Sequence, residues 1–439
     1  MRDLKLLRVL FLVLVCTMVL HPVSMAEEVD TSTTADGIES ADGLVRIEPV
    51  WIRKWQDKGG DQANAWDVMV HENRVYAAGL IGTSNSPKVA PLIIQCYTLD
   101  GELVWERRWE GFSGKYGTGA AAAVMIGHGP YLYVGGAVAR DEMNASLIQK
   151  WDTDGNLIWT EFWGKPNGGH HEVNGLAIVD NYLYVSHYSS EEHLTTIDAV
   201  IKKFDIKKLD ARKPQSESLI WSKTYGKPNS HNTTDGHIYA DETGVYICGQ
   251  HGGPKGPNVY IGGDAYLAKF DPDGNQQWLK VWEGDGTGCD DAFNLTSDGK
   301  HIFMTGPTFT SSEDSLLGFD IQVFVQKYTM DGDLIWTKLF GGPKTEYSRG
   351  IAADDKHVFV VLTTKSYVDV KDNTVVLKYD KESGALVGKR IWGGKGFDGA
   401  TTSLAIGDPG YLYLSGNSSS SEDGEDTEKL SAVVMKITK

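Results

Sequence analysis

The fold the sequence predicts is all-β: a seven-bladed β-propeller of four-stranded antiparallel blades, its ring closed by an N-terminal strand pairing with the last blade. Three observations predict it. A tryptophan motif recurs at near-constant intervals, tight-turn sequences stand just ahead of it, and each end of the chain carries a fraction of one repeat.

The motif is a tryptophan followed four residues later by a second aromatic residue. It occurs as Trp51/Trp55, Trp105/Trp109, Trp159/Trp163, Trp221/Tyr225, Trp278/Trp282 and Trp336/Phe340, and in a degraded seventh copy as Gly388/Trp392. First positions are spaced by 54, 54, 62, 57, 58 and 52 residues.

Ahead of most copies stands a turn sequence: Asp100-Gly101, Asp154-Gly155, Asp273-Gly274, Asp331-Gly332 or Ser383-Gly384. Such pairs supply the positive φ that a tight hairpin turn requires. Before each turn runs an apolar or alternating segment ending in lysine and an aromatic residue, as in Lys150-Trp151, Lys203-Phe204, Lys269-Phe270, Lys327-Tyr328 and Lys378-Tyr379. Further upstream, aromatic-hydrophobic runs close on glycine at Gly79, Gly249, Gly306 and Gly416. These segments are short and rich in Val, Ile, Tyr and Trp, which is strand composition, and no long segment has helical period with caps.

The chain ends give the blade count. Three strands at about 398–406, 411–416 and 431–437 precede the last residue with no fourth, while the first motif strand, about 48–55, precedes any complete unit. Joining the two satisfies two open sheet edges at once. Six whole units and one shared unit make seven blades over residues 47–439.

With these residues in view, the unit D-G-x-x-x-W-x-x-x-[WYF]-G, following a hydrophobic-x-K-[YF]-D strand and an aromatic-V-x-G strand, resembles the SBBP repeats of seven-bladed propellers. More loosely it is similar to the repeats of pyrroloquinoline-quinone enzymes. The resemblance spans roughly residues 47–439 and implies architecture, with export or surface display, rather than an activity. Quinoproteins commonly have eight blades and an adjacent cysteine pair, and this chain has neither.

Residues 1–26 have the pattern of a cleaved signal peptide: Arg2, Lys5 and Arg8, an apolar run over 9–20, and small residues Ser24 and Ala26 at the −3 and −1 positions. A secreted or cell-surface protein is therefore expected, with residues 27–46 as an acidic flexible linker. No later run is long enough for a transmembrane helix. The formal net charge of −17 at pH 7, with no basic cluster, argues against nucleic acid as a partner. Cys96, Cys248 and Cys289, left after the leader, are too few for a disulfide framework; a Cys248–Cys289 bridge and three buried thiols remain the alternatives.

Loop lengths point to the place of any site. One face carries tight turns; the other carries varied loops at about 80–90, 137–144, 187–197, 251–263, 307–319, 364–372 and 417–430, together with the passages between blades. Binding residues concentrate on variable loops over a rigid scaffold. Polar residues entering the innermost strands would ring the channel mouth on that face. The ligand-binding candidates are His171, Glu172, Asp235, His237, Asp290, Asp291, Glu346, Arg349 and Asp398, with Asn64 and His170 beside them, and Trp66 as a channel-lining aromatic. The plainer reading is that such residues are solvated or cap the inner strands. Most of the thirteen tryptophans fall at the fixed outer-strand position, where core packing explains them.

No cofactor motif emerges. His170-His171-Glu172 alternates across a strand and so cannot turn as a unit toward one ion. Asp152-Thr153-Asp154-Gly155 and Asp271-Pro272-Asp273-Gly274 open like calcium loops but lack the closing glutamate. Gly117-x-Gly119-x-x-Ala122 has no helix to receive a pyrophosphate. A divalent cation remains compatible with the acids. The sequons at Asn144, Asn232, Asn294 and Asn417 are candidate surface glycosylation sites. The expectation is an exported monomeric propeller that binds an extracellular small molecule, glycan or protein. The alternative is a propeller enzyme, a metal-assisted hydrolase or lyase acting on extracellular glycans.

Overall fold

A computed structural model describes residues 44–56, 62–81, 91–111, 120–140, 143–164, 171–189, 197–226, 230–253, 263–284, 289–311, 319–342, 344–367, 371–421 and 424–439. The leader, the linker up to residue 43, His170, the Gly117–Gly119 stretch and much of the long loops lie outside the described residues.

Seven antiparallel sheets form the ring, each ordered from an innermost to an outermost strand. Blade one spans residues 63–109, blade two 120–163, blade three 171–225, blade four 239–282, blade five 294–340 and blade six 346–392. Blade seven takes Asp398–Ile406, Tyr411–Ser420 and Asp426–Thr438 from the end of the chain, and Trp51–Trp55 from its beginning. The closing strand runs antiparallel to the C-terminal one, with Trp51 opposite Lys436 and Trp55 opposite Ala432. The ring closes as the chain ends imply.

The outer-strand tryptophan is an interblade device. Trp51 Nε1 donates to Leu99 O (3.0 Å), Trp105 to Thr153 O (3.0 Å), Trp221 to Pro272 O (3.0 Å) and Trp336 to Lys381 O (3.3 Å), each acceptor lying at the turn of the following blade. The turn glycine packs on the indole. At Gly101, with φ +81°, a Cβ would stand 2.7 Å from the Trp51 ring. The repeated lysine converges on the same acceptors: Lys436 Nζ donates to Leu99 O, Lys203 to Pro272 O and Lys327 to Lys381 O. Buried lysines are otherwise costly; these lie against aromatic rings, Lys436 over Tyr411 at 4.0 Å and Lys203 over Tyr182 at 4.3 Å.

Two departures from the repeat have visible causes. In blade three, short helices Ile206–Asp210 and Gln215–Ser218 replace the Asp-Gly turn, and the Asp210 carboxylate takes over as acceptor for Trp159 Nε1 (2.9 Å) and Lys150 Nζ (2.8 Å). In blade six the motif tryptophan is Gly388, because blade seven joins its last two strands through the chain ends and offers no turn for an indole to cover. Ile47 is instead buried in the hydrophobic cluster between blades six and seven. Val45–Arg46, in the stretch that composition reads as linker, adds a parallel fifth strand on the edge of blade six, against Arg390 and Ile391.

The core lies between blades rather than inside one sheet; one cluster joins Tyr76, Ile94 and Cys96 of blade one to Met125, Leu132 and Trp151 of blade two. Cys96, Cys248 and Cys289 are buried thiols, and no bridge joins Cys248 to Cys289. Asn232, Asn294 and Asn417 are also buried, which removes them as surface glycosylation sites. Burial follows from their work as strand and turn residues, where their amides hydrogen-bond to neighbouring chain, as in Asn294 Nδ2 to Arg349 O.

Candidate functional site

The innermost strands line the channel, and several bulge at one position. The register slips past Trp66, Ala123, Asn174 and Arg349, each an extra residue of the inner strand. Such bulges re-aim a side chain away from the sheet. Backbone carbonyls of the segments lining the channel press on the second strand at some of the glycines that close those runs. A Cβ at Gly79 would stand 1.8 Å from Asn64 O, and one at Gly306 1.7 Å from Asp291 O.

Below the bulges a polar pair spans the channel. Asp67, fully buried in blade one, accepts the Val68 amide (2.8 Å) and the Met125 amide of blade two (2.6 Å), and its Oδ1 lies 3.3 Å from His237 Nε2 of blade four. Burial works against a charge on His237, but the Asp67 carboxylate outweighs it and raises the imidazole pKa. Toward the tight-turn face, a cavity of about 420 Å³ is lined largely by aliphatic residues such as Val68, Met125, Ile238 and Leu404.

The candidates separate into two groups. Asp290, Glu346 and Asp398 are clamps at equivalent places in blades five, six and seven. Each accepts the amide of the glycine leaving the previous outer strand: Gly284 (2.7 Å), Gly342 (3.1 Å) and Gly394 (2.7 Å). Each also accepts a hydroxyl of its own second strand, from Thr308 (2.5 Å), Thr364 (3.0 Å) or Ser418 (2.5 Å). Burial lifts the Glu346 pKa against the hydrogen bonds of Ser366, Gly342 and Thr364. Their carboxylates serve the passage between blades. His171 opens the blade-three inner strand in the corresponding place, opposite Ser189, and is buried.

Glu172, Asp235, Asp291 and Arg349 form the second group, one charged residue from each of blades three to six. Glu172 accepts the Tyr188 hydroxyl at 2.6 Å, and Thr233 donates to Asp235. The Arg349 guanidinium lies over the Phe293 ring at 4.6 Å. Burial pushes the Asp235 carboxyl up to about 6; Glu172 adds to the rise, and Thr233 and Arg349 oppose it. Burial, then the Asp235 charge, holds Asp291 well above the usual carboxylate range against Arg349 and the Ala292 amide. Asp291 is 8% exposed, and its Oδ1 has no hydrogen-bond donor among the described residues. Trp66 stands at its bulge with Nε1 buried and no acceptor among the described residues.

Among the described residues no three or more His, Cys, Asp or Glu side chains group as a metal site. Asp67, Thr233, Phe293 and Tyr188 were not singled out by sequence reasoning. The repeat held the missing signal, because aligning inner strands on Gly79, Gly249 and Gly306 sets Asn64, Thr233 and Asp291 at one level.

No family model and no curated protein matches the chain. Among solved structures it is similar to the phage phi92 endosialidase (11% identity, 88% of this chain and 69% of that one, TM-score 0.45). It is similar also to Drosophila Semaphorin 1b extracellular domains 1–2 (8%, 89% and 87%, 0.48). A third is the β-propeller domain of the Trilobed protease from Pyrococcus furiosus (12%, 81% and 91%, 0.42). Likeness at this level carries no information about a ligand.

Proposed function

We propose that this chain is an exported, monomeric binding propeller of the SBBP-repeat type, whose ligand seats at the long-loop mouth of the channel. The observation that carries this reading is the meeting of Glu172, Asp235, Asp291 and Arg349 from four consecutive blades, in a place where two carboxyls are unfavourable as ions. Structural carboxylates in this fold look different: Asp290, Glu346 and Asp398 accept amides and hydroxyls on both oxygens. Groups kept against their own solvation are characteristic of binding and catalytic sites. Extracellular small molecules, glycans and proteins are the ligand classes to screen, since the acidic chain disfavours nucleic acid.

The test is a binding screen on wild-type protein and on the Arg349→Ala and Trp66→Ala variants. A ligand whose affinity falls at least tenfold in either variant, with the melting temperature unchanged, supports the mouth as the site. A ligand bound equally by all three proteins places the site elsewhere. Export is tested by sequencing the N-terminus of the mature protein; a start at Glu27 supports the leader.

One observation favours a second reading, that of a hydrolase or lyase on glycans. Burial raises the pKa of both Asp291 and Asp235, and neighbouring carboxyls whose ionisation is opposed suit acid–base chemistry. Turnover of a glycan by wild-type protein, abolished in Asp291→Asn, would establish it.

A further inference from the structure

We propose that the channel mouth takes a small organic cation bearing primary ammonium groups, with Asp291, Asp235 and Glu172 accepting its N–H donors. This rests on the reading of the mouth as the ligand site and names the chemistry of its occupant.

The first argument is the distribution of charge. Asp235 lies within electrostatic reach of Glu172 and Arg349, and Asp291 within reach of Asp235 and Arg349, so three carboxyl groups stand near one guanidinium. The groups acting on Asp291 are Asp235, Asp290 and Arg349, and its own charge is felt by Cys248 and Tyr266 of blade four. Among these described residues acids outnumber bases, and the chain's net charge of −17 favours cations arriving from solution.

The second argument is independent of the count of acids. Among the described residues Asp291 Oδ1 is a buried acceptor with no donor. The clamping carboxylates show that this fold supplies donors where a carboxylate is structural, so the missing donor at Asp291 belongs to a ligand. An orphan acceptor of this kind is destabilising, and an incoming N–H offsets its cost.

The third argument separates organic cations from metal ions. A calcium ion needs six or more oxygens within about 2.6 Å of one point. Among the described residues no three acidic or imidazole groups gather in that way. Carboxyls spread over three blades suit a ligand that presents separate N–H donors, as a diamine or an amino sugar does. On binding, the ammonium becomes the neutralising partner of the Asp291 carboxylate, and any proton that the carboxyl carries passes to buffer.

The experiment is titration calorimetry of the folded chain with 1,4-diaminobutane, glucosamine, glucose and calcium chloride, in two buffers of different ionisation enthalpy. Binding of either amine, with proton release and at least tenfold weaker affinity in Asp291→Asn, is the expected result; which amine binds tells a free amine from an amino sugar. Glu172→Gln, expected to weaken the same amine, guards against misfolding of the first variant, and both are checked by melting temperature. Binding of calcium or glucose but of neither amine overturns the proposal, as does an amine bound equally by Asp291→Asn. A ligand of another class, bound in wild type and lost in Trp66→Ala, would leave the mouth reading standing while this one falls.

Discussion

Two residues of the repeat join blade to blade, and at three junctions both act through one acceptor. A tryptophan and a lysine of one blade meet a single turn carbonyl of the next, as Trp336 and Lys327 do at Lys381 O. Trp336→Ala removes a buried ring and its hydrogen bond, so a loss of about 3–5 kcal/mol is expected in chemical denaturation. At the channel, Asp67→Asn removes the charge that lifts the His237 pKa, leaving burial to act alone. The imidazole pKa should then drop below its ordinary value, read by NMR titration of labelled histidine. The packing residues were legible in the sequence because they recur in register. The charged ones were legible as a set of polar entries to the inner strands, but their roles were not. Nothing in the spelling of Asp290 and Asp291 tells a clamp from an orphan; only the direction of each side chain does.

At the level of strands and turns, glycine marks where one blade touches the next. Gly101 and Gly410 have similar φ, +81° and +87°, but a Cβ at Gly101 meets the Trp51 ring, and at Gly410 it meets nothing within 4 Å. Alanine strains the backbone at both and overpacks only the first. Gly101→Ala is therefore expected to cost about 1–3 kcal/mol more than Gly410→Ala, measured as a difference in unfolding free energy. The same logic accounts for Gly388, which reads as a decayed repeat but stands where no turn exists to be covered. The two helices of blade three were not legible, since nine residues without a strong period are too short to announce themselves. The inner-strand bulges were hidden for another reason: an extra residue in one strand shifts the pairing without altering the composition.

For the whole ring, acid stability should depend on the tight-turn face. Asp298, Asp354 and Asp408 pair with Lys381 (2.9 Å), Lys439 (3.0 Å) and Lys436 (2.9 Å). Burial opposes their ionisation, but these lysines and nearby hydrogen bonds hold all three carboxyls below the usual range. Carboxyls lowered in the folded state stabilise it fully above about pH 4, the unfolded value, and that contribution fades as pH falls through the folded one. Melting temperature should fall on acidification, and Lys381→Met should flatten that fall. Asp235 and Asp291 act in the opposite sense, their raised pKa values favouring the fold when protonated and losing that effect as pH rises. The architecture was legible because it follows from repetition, whereas the mouth depends on what each blade does differently. The contact between Asp67 and His237 reaches further than its two residues suggest. A wheel deforms most readily by going oval, and a strut across its diameter resists that mode. His237→Ala should leave every rim contact in place, yet quicken hydrogen exchange in the inner strands of blades one and four together.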